Sequence, residues 1–139
     1  MIAISSPALS LLSLQEALAA VQPGFRAWEI VAEAKHYLPG IAKELEEYLA
    51  SHDLECSVHA PLSDVNIGSL NPRLREVALR EVMVTIEQAG ALGLNPVTVH
   101  PGFYAPLGQL DREGARRTTK DALGAMDKVA KDCGVKVAL

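Results

Sequence analysis

Three observations predict an α/β fold with a parallel sheet for this chain of 139 residues. Short apolar segments alternate strictly with longer segments of helical periodicity. The helical segments carry their own start and stop signals. Two of the short segments end on a histidine that runs into a proline turn, Val58-His59-Ala60-Pro61 and Val99-His100-Pro101-Gly102. Strands joined by crossover helices lie parallel, with right-handed connections.

The elements follow in order. Ile2 to Ser5 is expected as a first short strand. Ser13 with Glu16 three residues on is a capping-box signature, and Leu14, Ala17, Leu18 and Val21 mark one apolar helix face. Pro23-Gly24 stops that helix, and Phe25 to Val31 reads as the second strand. Pro39 suits the first turn of a second helix whose stripe is Ile41, Leu45, Tyr48 and Leu49. Leu54 to His59 is the third strand.

Asn71 and Pro72 are an N-cap and a first-turn residue for a third helix, with Leu74, Ala78, Val82, Ile86 and Ala89 at helical spacing. Gly93 can take a left-handed cap and Pro96 blocks continuation. Val97 to His100 is the fourth strand. Asp111 opens a fourth helix with Ala115, Thr119, Ala122, Met126 and Val129 on one face, closed by Gly134. Val135 to Leu139 is the fifth strand.

Five strands and four helices fit two architectures. A flavodoxin-like doubly wound domain has strand order 2-1-3-4-5 and normally ends on a helix that covers its last strand. A (β/α)₈ barrel needs roughly 250 residues. Because the chain ends on a strand, the expected fold is an incomplete (β/α)₈ TIM barrel. In it residues 1–139 are the N-terminal portion of a single domain, truncated after the fifth strand. Such a chain leaves an edge and apolar surface exposed, so it is expected to self-associate or to pair with its missing C-terminal half.

Composition narrows the function classes. A formal net charge of −4 gives no general attraction to nucleic acid or to anionic membrane. No apolar run approaches a membrane span, and the first basic residue is Arg26, so the charged start of a signal peptide is missing. Cys56 and Cys133 lack metal-finger or CxxC spacing, and reduced thiols in a cytoplasmic protein are expected.

In parallel α/β folds ligands bind at the carboxyl ends of the strands. His59 and His100 sit at such ends of neighbouring strands, and neutral imidazole is both a common metal ligand and a general acid or base. The bland alternative for each is a hydrogen-bonded packing histidine; the repeated context favours the pair as site residues. Glu29 either faces the mouth and meets a substrate hydroxyl, or is an outward or paired structural carboxylate. Phe103 and Tyr104, in the loop after the fourth strand, either close over a substrate or pack on the barrel. Asp64 and Asn66 are polar substrate contacts or turn formers, with the turn role ranked higher. His36 and His52 are expected to be solvated. Arg73 and Arg75 open one helix and Arg112, Arg116 and Arg117 the next, where phosphate is favoured, although a solvated helix surface is the usual reading.

These residues carry a family resemblance. Ile4-Ser5-Ser6, Trp28-Glu29-Ile30, the two histidine turns and Val137-Ala138-Leu139 resemble the xylose isomerase-like TIM barrel superfamily, over essentially the whole chain. That superfamily includes sugar isomerases and epimerases and the endonuclease IV-like nucleases. In nuclease members the histidines matching His59 and His100 ligate one metal of a zinc cluster. In the isomerase branch they more often line the sugar pocket. Both branches usually place a metal-ligating glutamate after the Val-Ala-Leu strand, one residue beyond Leu139.

The resemblance therefore implies a metal-dependent sugar or sugar-phosphate isomerase or epimerase, with Zn or Mn/Mg as cofactor and His59 and His100 as catalytic or metal-binding residues. An endonuclease acting on abasic DNA ranks second, opposed by the acidic charge and the 4% aromatic content. A non-catalytic binding module ranks third. With the remaining ligands beyond Leu139, the 139-residue chain is expected to be inactive alone.

Overall fold

The computed structural model describes residues 2–139. Its elements are β1 Ile4–Ser5, α1 Leu14–Val21, β2 Ala27–Val31, α2 Leu38–Leu49, β3 Glu55–His59, α3 Pro72–Ala91, β4 Val97–Thr98, α4 Pro106–Leu110, α5 Arg112–Asp132 and β5 Val137–Ala138. Short 3-10 turns, Pro7–Leu11 and Ala34–His36, follow β1 and β2. All four strand pairings are parallel, and the sheet order is β1-β2-β3-β4-β5. Sequential order is that of a partial barrel and excludes the doubly wound alternative, in which β1 would lie between β2 and β3.

The caps form as their chemistry requires. Ser13 and Glu16 close both halves of the capping box on α1. Asn71 Oδ1 accepts from the Arg73 and Leu74 amides at 3.2 and 3.4 Å, and Asp111 Oδ1 accepts from the Gly114 amide at 2.8 Å. Among the described residues no helix is long and apolar enough to cross a membrane.

Packing is divided between the two faces of the sheet. Trp28, Ile30, Val58 and Val97 are fully buried on the helix-covered face, in one core with Leu18, Leu45, Val82, Ile86 and Met126. Burial of each such side chain is worth about 1.5–3 kcal/mol. Alternation along a strand turns the intervening residues Glu29, Ser57, His59 and Thr98 to the opposite, concave face.

Three expectations differ from the structure. A fifth helix, α4, occupies the loop after β4; five residues are too few for helical periodicity to declare itself. The fourth strand ends at Thr98, so His100 stands two residues past it, although the Val99 amide still donates to the Ala138 carbonyl at 2.8 Å.

His36 is a third correction. Its polar neighbours Glu33 and Lys35 predict a solvated ring, yet it is wholly buried, edge-on to Trp28 with centroids 5.5 Å apart. It sits in the 3-10 turn Ala34–His36, which Ala34 enters at φ +51. His52 is exposed, as expected, and stacks on Tyr48.

Candidate functional site

The strand ends place two imidazoles side by side. His59 closes β3 in register with Thr98 of β4, and His100 follows two residues further along that strand end. Their ring centroids are 5.0 Å apart and tilted by 38°. His59 is half-buried and His100 exposed, so the pair opens to solvent at the carboxyl end of the sheet.

A backbone contact sets the tautomer of His59. Its Nδ1 lies 2.8 Å from the Ala60 carbonyl oxygen, which can only accept. Nδ1 of the neutral ring therefore carries the proton, and Nε2 keeps its lone pair. A carbonyl on one ring nitrogen with the other left free is the arrangement of a metal-ligating histidine.

Beneath the pair lies a tied carboxyl group. The Glu29 carboxylate accepts from Ser5 Oγ at 2.7 Å and from Thr98 Oγ1 at 2.9 Å, spanning the concave face from β1 to β4. Both oxygens are engaged by hydroxyls from other strands. Glu29 is thus a paired carboxylate on the inward face, one register row below His59.

Glu33, which strand and motif reasoning passed over, fixes the loop that leaves His59. Its carboxylate accepts from the Leu62 amide at 2.5 Å, the Ser63 amide at 2.6 Å and Ser63 Oγ at 2.7 Å. Partial burial would raise its pKa, but the donors from Ser63 and Leu62 and the nearby His59 together hold it below the ordinary glutamate value. The available signal was an acid directly after an apolar strand.

Asn66 is buried and joins the two histidine-bearing loops. Its Nδ2 donates to the Phe103 carbonyl at 2.9 Å, while Oδ1 accepts from the Gly68 amide at 3.1 Å and the Phe103 amide at 3.2 Å. Gly102 has φ +91, and a Cβ there would stand 2.5 Å from Asn66 Oδ1, so this crossing requires glycine.

The remaining expected site residues are dispersed. Asp64 is exposed and lines a cleft of about 730 Å³ between the loops after β1, β2 and β3. Phe103 and Tyr104 are exposed and line a different cleft, against α5. The structure thus gathers His59 and His100, ties Glu29 beneath them, and commits Asn66 to the loops. Cys56 is held unreactive: burial pushes its thiol up to about 12.

The residues present meet a metal ion's needs only in part. Two imidazoles of the right kind stand together, but among the described residues no group of three His, Cys, Asp or Glu side chains could hold an ion. A catalytic zinc usually takes three protein ligands. Two imidazoles alone could supply only part of such a shell.

The model of the xylose isomerase-like TIM barrel family matches residues 17–139. The chain belongs to that family. An uncharacterized protein of Methanocaldococcus jannaschii is 36% identical over 131 residues, covering 94% of this chain and 44% of the relative.

Among solved structures, a D-tagatose 3-epimerase-like protein superposes with TM-score 0.89 at 32% identity, covering 99% of this chain and 51% of that one. A Thermus thermophilus protein soaked with ZnCl₂ superposes with TM-score 0.68 at 25% identity, covering 98% of this chain and 53% of that one. The chain spans about half the length of the proteins it matches.

Proposed function

We propose that the whole protein is a divalent-metal-dependent sugar isomerase or epimerase, and that His59 and His100 form one edge of its metal and substrate site. The observation that carries this reading is the His59–His100 pair itself: two adjacent imidazoles at the mouth, one held by Ala60 with its Nε2 free. Similarity to a D-tagatose 3-epimerase-like protein supports the reaction class, and the zinc-soaked relative supports a divalent ion.

In this reading the chain is the N-terminal portion of a single barrel domain, and further ligands come from strands beyond β5. The two edge strands, β1 and β5, are the surfaces through which the chain would meet that portion or a second copy. A divalent ion would supply polarisation of a sugar carbonyl, which acidifies the neighbouring C–H. The residues of this chain then have defined tasks. His59 and His100 bind and orient through their free ring nitrogens. Glu29, whose two oxygens accept from Ser5 and Thr98, ties β1, β2 and β4 together beneath them. Glu33 and Asn66 keep the histidine loops in place. The proton is taken by a carboxylate outside this chain.

Deuterium exchange tests the proposal. The full-length protein loaded with Mn²⁺ is incubated in D₂O with a panel of ketoses. Metal-dependent deuteration at the carbon beside the carbonyl is expected, with loss in the double variant H59A/H100A. Absence of sugar exchange, together with cleavage of an abasic-site oligonucleotide, would replace the reading with a nuclease.

A further inference from the structure

Beyond His100 the chain builds a second cleft whose chemistry differs from that of the histidine pair. It encloses about 360 Å³ between the loop after β4 and the flank of α5. Buried Ala115 and half-buried Leu123 form its apolar side, Gly68 and Gly102 present backbone, and exposed Arg116 and Lys120 stand at its rim. Gly68 lies so close to α5 that a Cβ there would stand 2.6 Å from Thr119 Oγ1, so the two walls meet without side-chain filling.

The cations at this rim are arranged and unneutralised. Arg116 Nε donates to Tyr104 Oη at 3.1 Å, which fixes the guanidinium plane and leaves its terminal nitrogens free. Arg112 lies over the Tyr104 ring at 5.7 Å. On the same helix Arg117 pairs with Glu113 and Lys131 with Asp127, whereas among the described residues neither Arg116 nor Lys120 has a carboxylate partner. Arg112, Arg116 and Lys120 follow one another at intervals of four, a stripe of like charge that weakens a helix unless something neutralises it. This stripe stands in a chain with a net charge of −4.

A fixed guanidinium with its fork free, beside an ammonium, is suited to a phosphate group. Pro101 and Gly102, which wall the cleft, directly follow His100, so an anion held there and a sugar at the imidazoles share one strand end. We infer that this cleft receives the phosphate of the substrate, which makes the preferred substrate a sugar phosphate in place of a free sugar. The inference rests on the sugar-isomerase reading for the identity of the sugar, and on the cleft alone for the phosphate.

The test is a binding titration of the full-length protein at low salt with three probes: D-fructose 6-phosphate, D-fructose and inorganic phosphate, followed by amide NMR. Fructose 6-phosphate is expected to bind tightest and to shift the Tyr104, Arg116 and Lys120 signals. Arg116→Gln and Lys120→Gln should each weaken it about tenfold, and Lys128→Gln, the same charge change further along α5, should not. Equal affinity for fructose and its phosphate would overturn the inference, as would equal loss in the Lys128 variant. Equal affinity for inorganic phosphate would mark an anion site unconnected with the sugar and would overturn the substrate assignment. Phosphate-dependent binding without sugar turnover in the full-length protein would remove the isomerase reading and leave the phosphate site standing.

Discussion

Asn66 holds Phe103 by both edges of its amide: Nδ2 donates to the Phe103 carbonyl at 2.9 Å and Oδ1 accepts from the Phe103 amide at 3.2 Å. This single side chain joins the loop after His59 to the loop after His100. Asn66→Ala leaves the buried Gly68 amide and the part-buried Phe103 backbone groups without their partner, and a loss of about 2 kcal/mol in stability is expected. Asn66→Asp keeps the acceptor and loses the donor, so a smaller loss is expected at acid pH, where the carboxyl is protonated, than at neutral pH. Urea unfolding of both variants at two pH values is the check.

The Glu33 clamp makes a signed prediction about acid. Its donors hold the folded-state pKa below the reference value of 4.5. Below that value the unfolded chain binds more protons than the folded one, so the Glu33 contribution is complete above about pH 4.5 and disappears as pH falls through the folded pKa. Glu33→Gln should flatten this part of the stability–pH curve and increase amide exchange at Leu62 and Ser63. An unchanged acid limb would show that the clamp contributes nothing.

His36 makes a second signed prediction, in a separate window. Burial lowers its pKa below 6.5, with the Ser13 backbone acting in the opposite direction. Here the depressed group is a base: below about pH 6.5 the unfolded state takes up the proton first, so stability falls with acid and is regained as pH rises. Neither ring nitrogen makes a hydrogen bond of good geometry. Replacement by an apolar ring of similar shape is therefore expected to cost little at neutral pH. His36→Phe should keep its denaturation midpoint between pH 7 and pH 5, while the parent chain loses stability over that interval. Parallel curves would contradict the buried, neutral histidine.

The legibility of the fold and of the site differed for identifiable reasons. Helix ends were readable because caps are local: Ser13 with Glu16, Asn71 with Pro72, and Asp111 each act within three residues. The parallel pairing followed from the strict alternation of strand and helix. His36 was misread because it lies in a short 3-10 turn entered at a positive φ on Ala34, and alanine carries no signal for that conformation.

Glu33 and the Ser5–Glu29–Thr98 network escaped because their partners lie 24 to 69 residues away, where spacing carries no information. One signal was available. Thr98 and His100, like Ser57 and His59, alternate with apolar residues on strands that a parallel sheet would otherwise fill with apolar side chains on both faces. Polar residues at period two in such strands mark the concave face.

In the proposed function His59 and His100 act as one site, with Nε2 of His59 as a ligand atom. Long-range ¹H–¹⁵N NMR of the histidine rings during a Zn²⁺ titration of the full-length protein measures it directly. His59 is expected to be an Nδ1–H tautomer before metal is added, and the His59 and His100 nitrogens to shift together while buried His36 and exposed His52 stay in place. An Nε2–H tautomer at His59, or zinc shifts confined to His52, would contradict it.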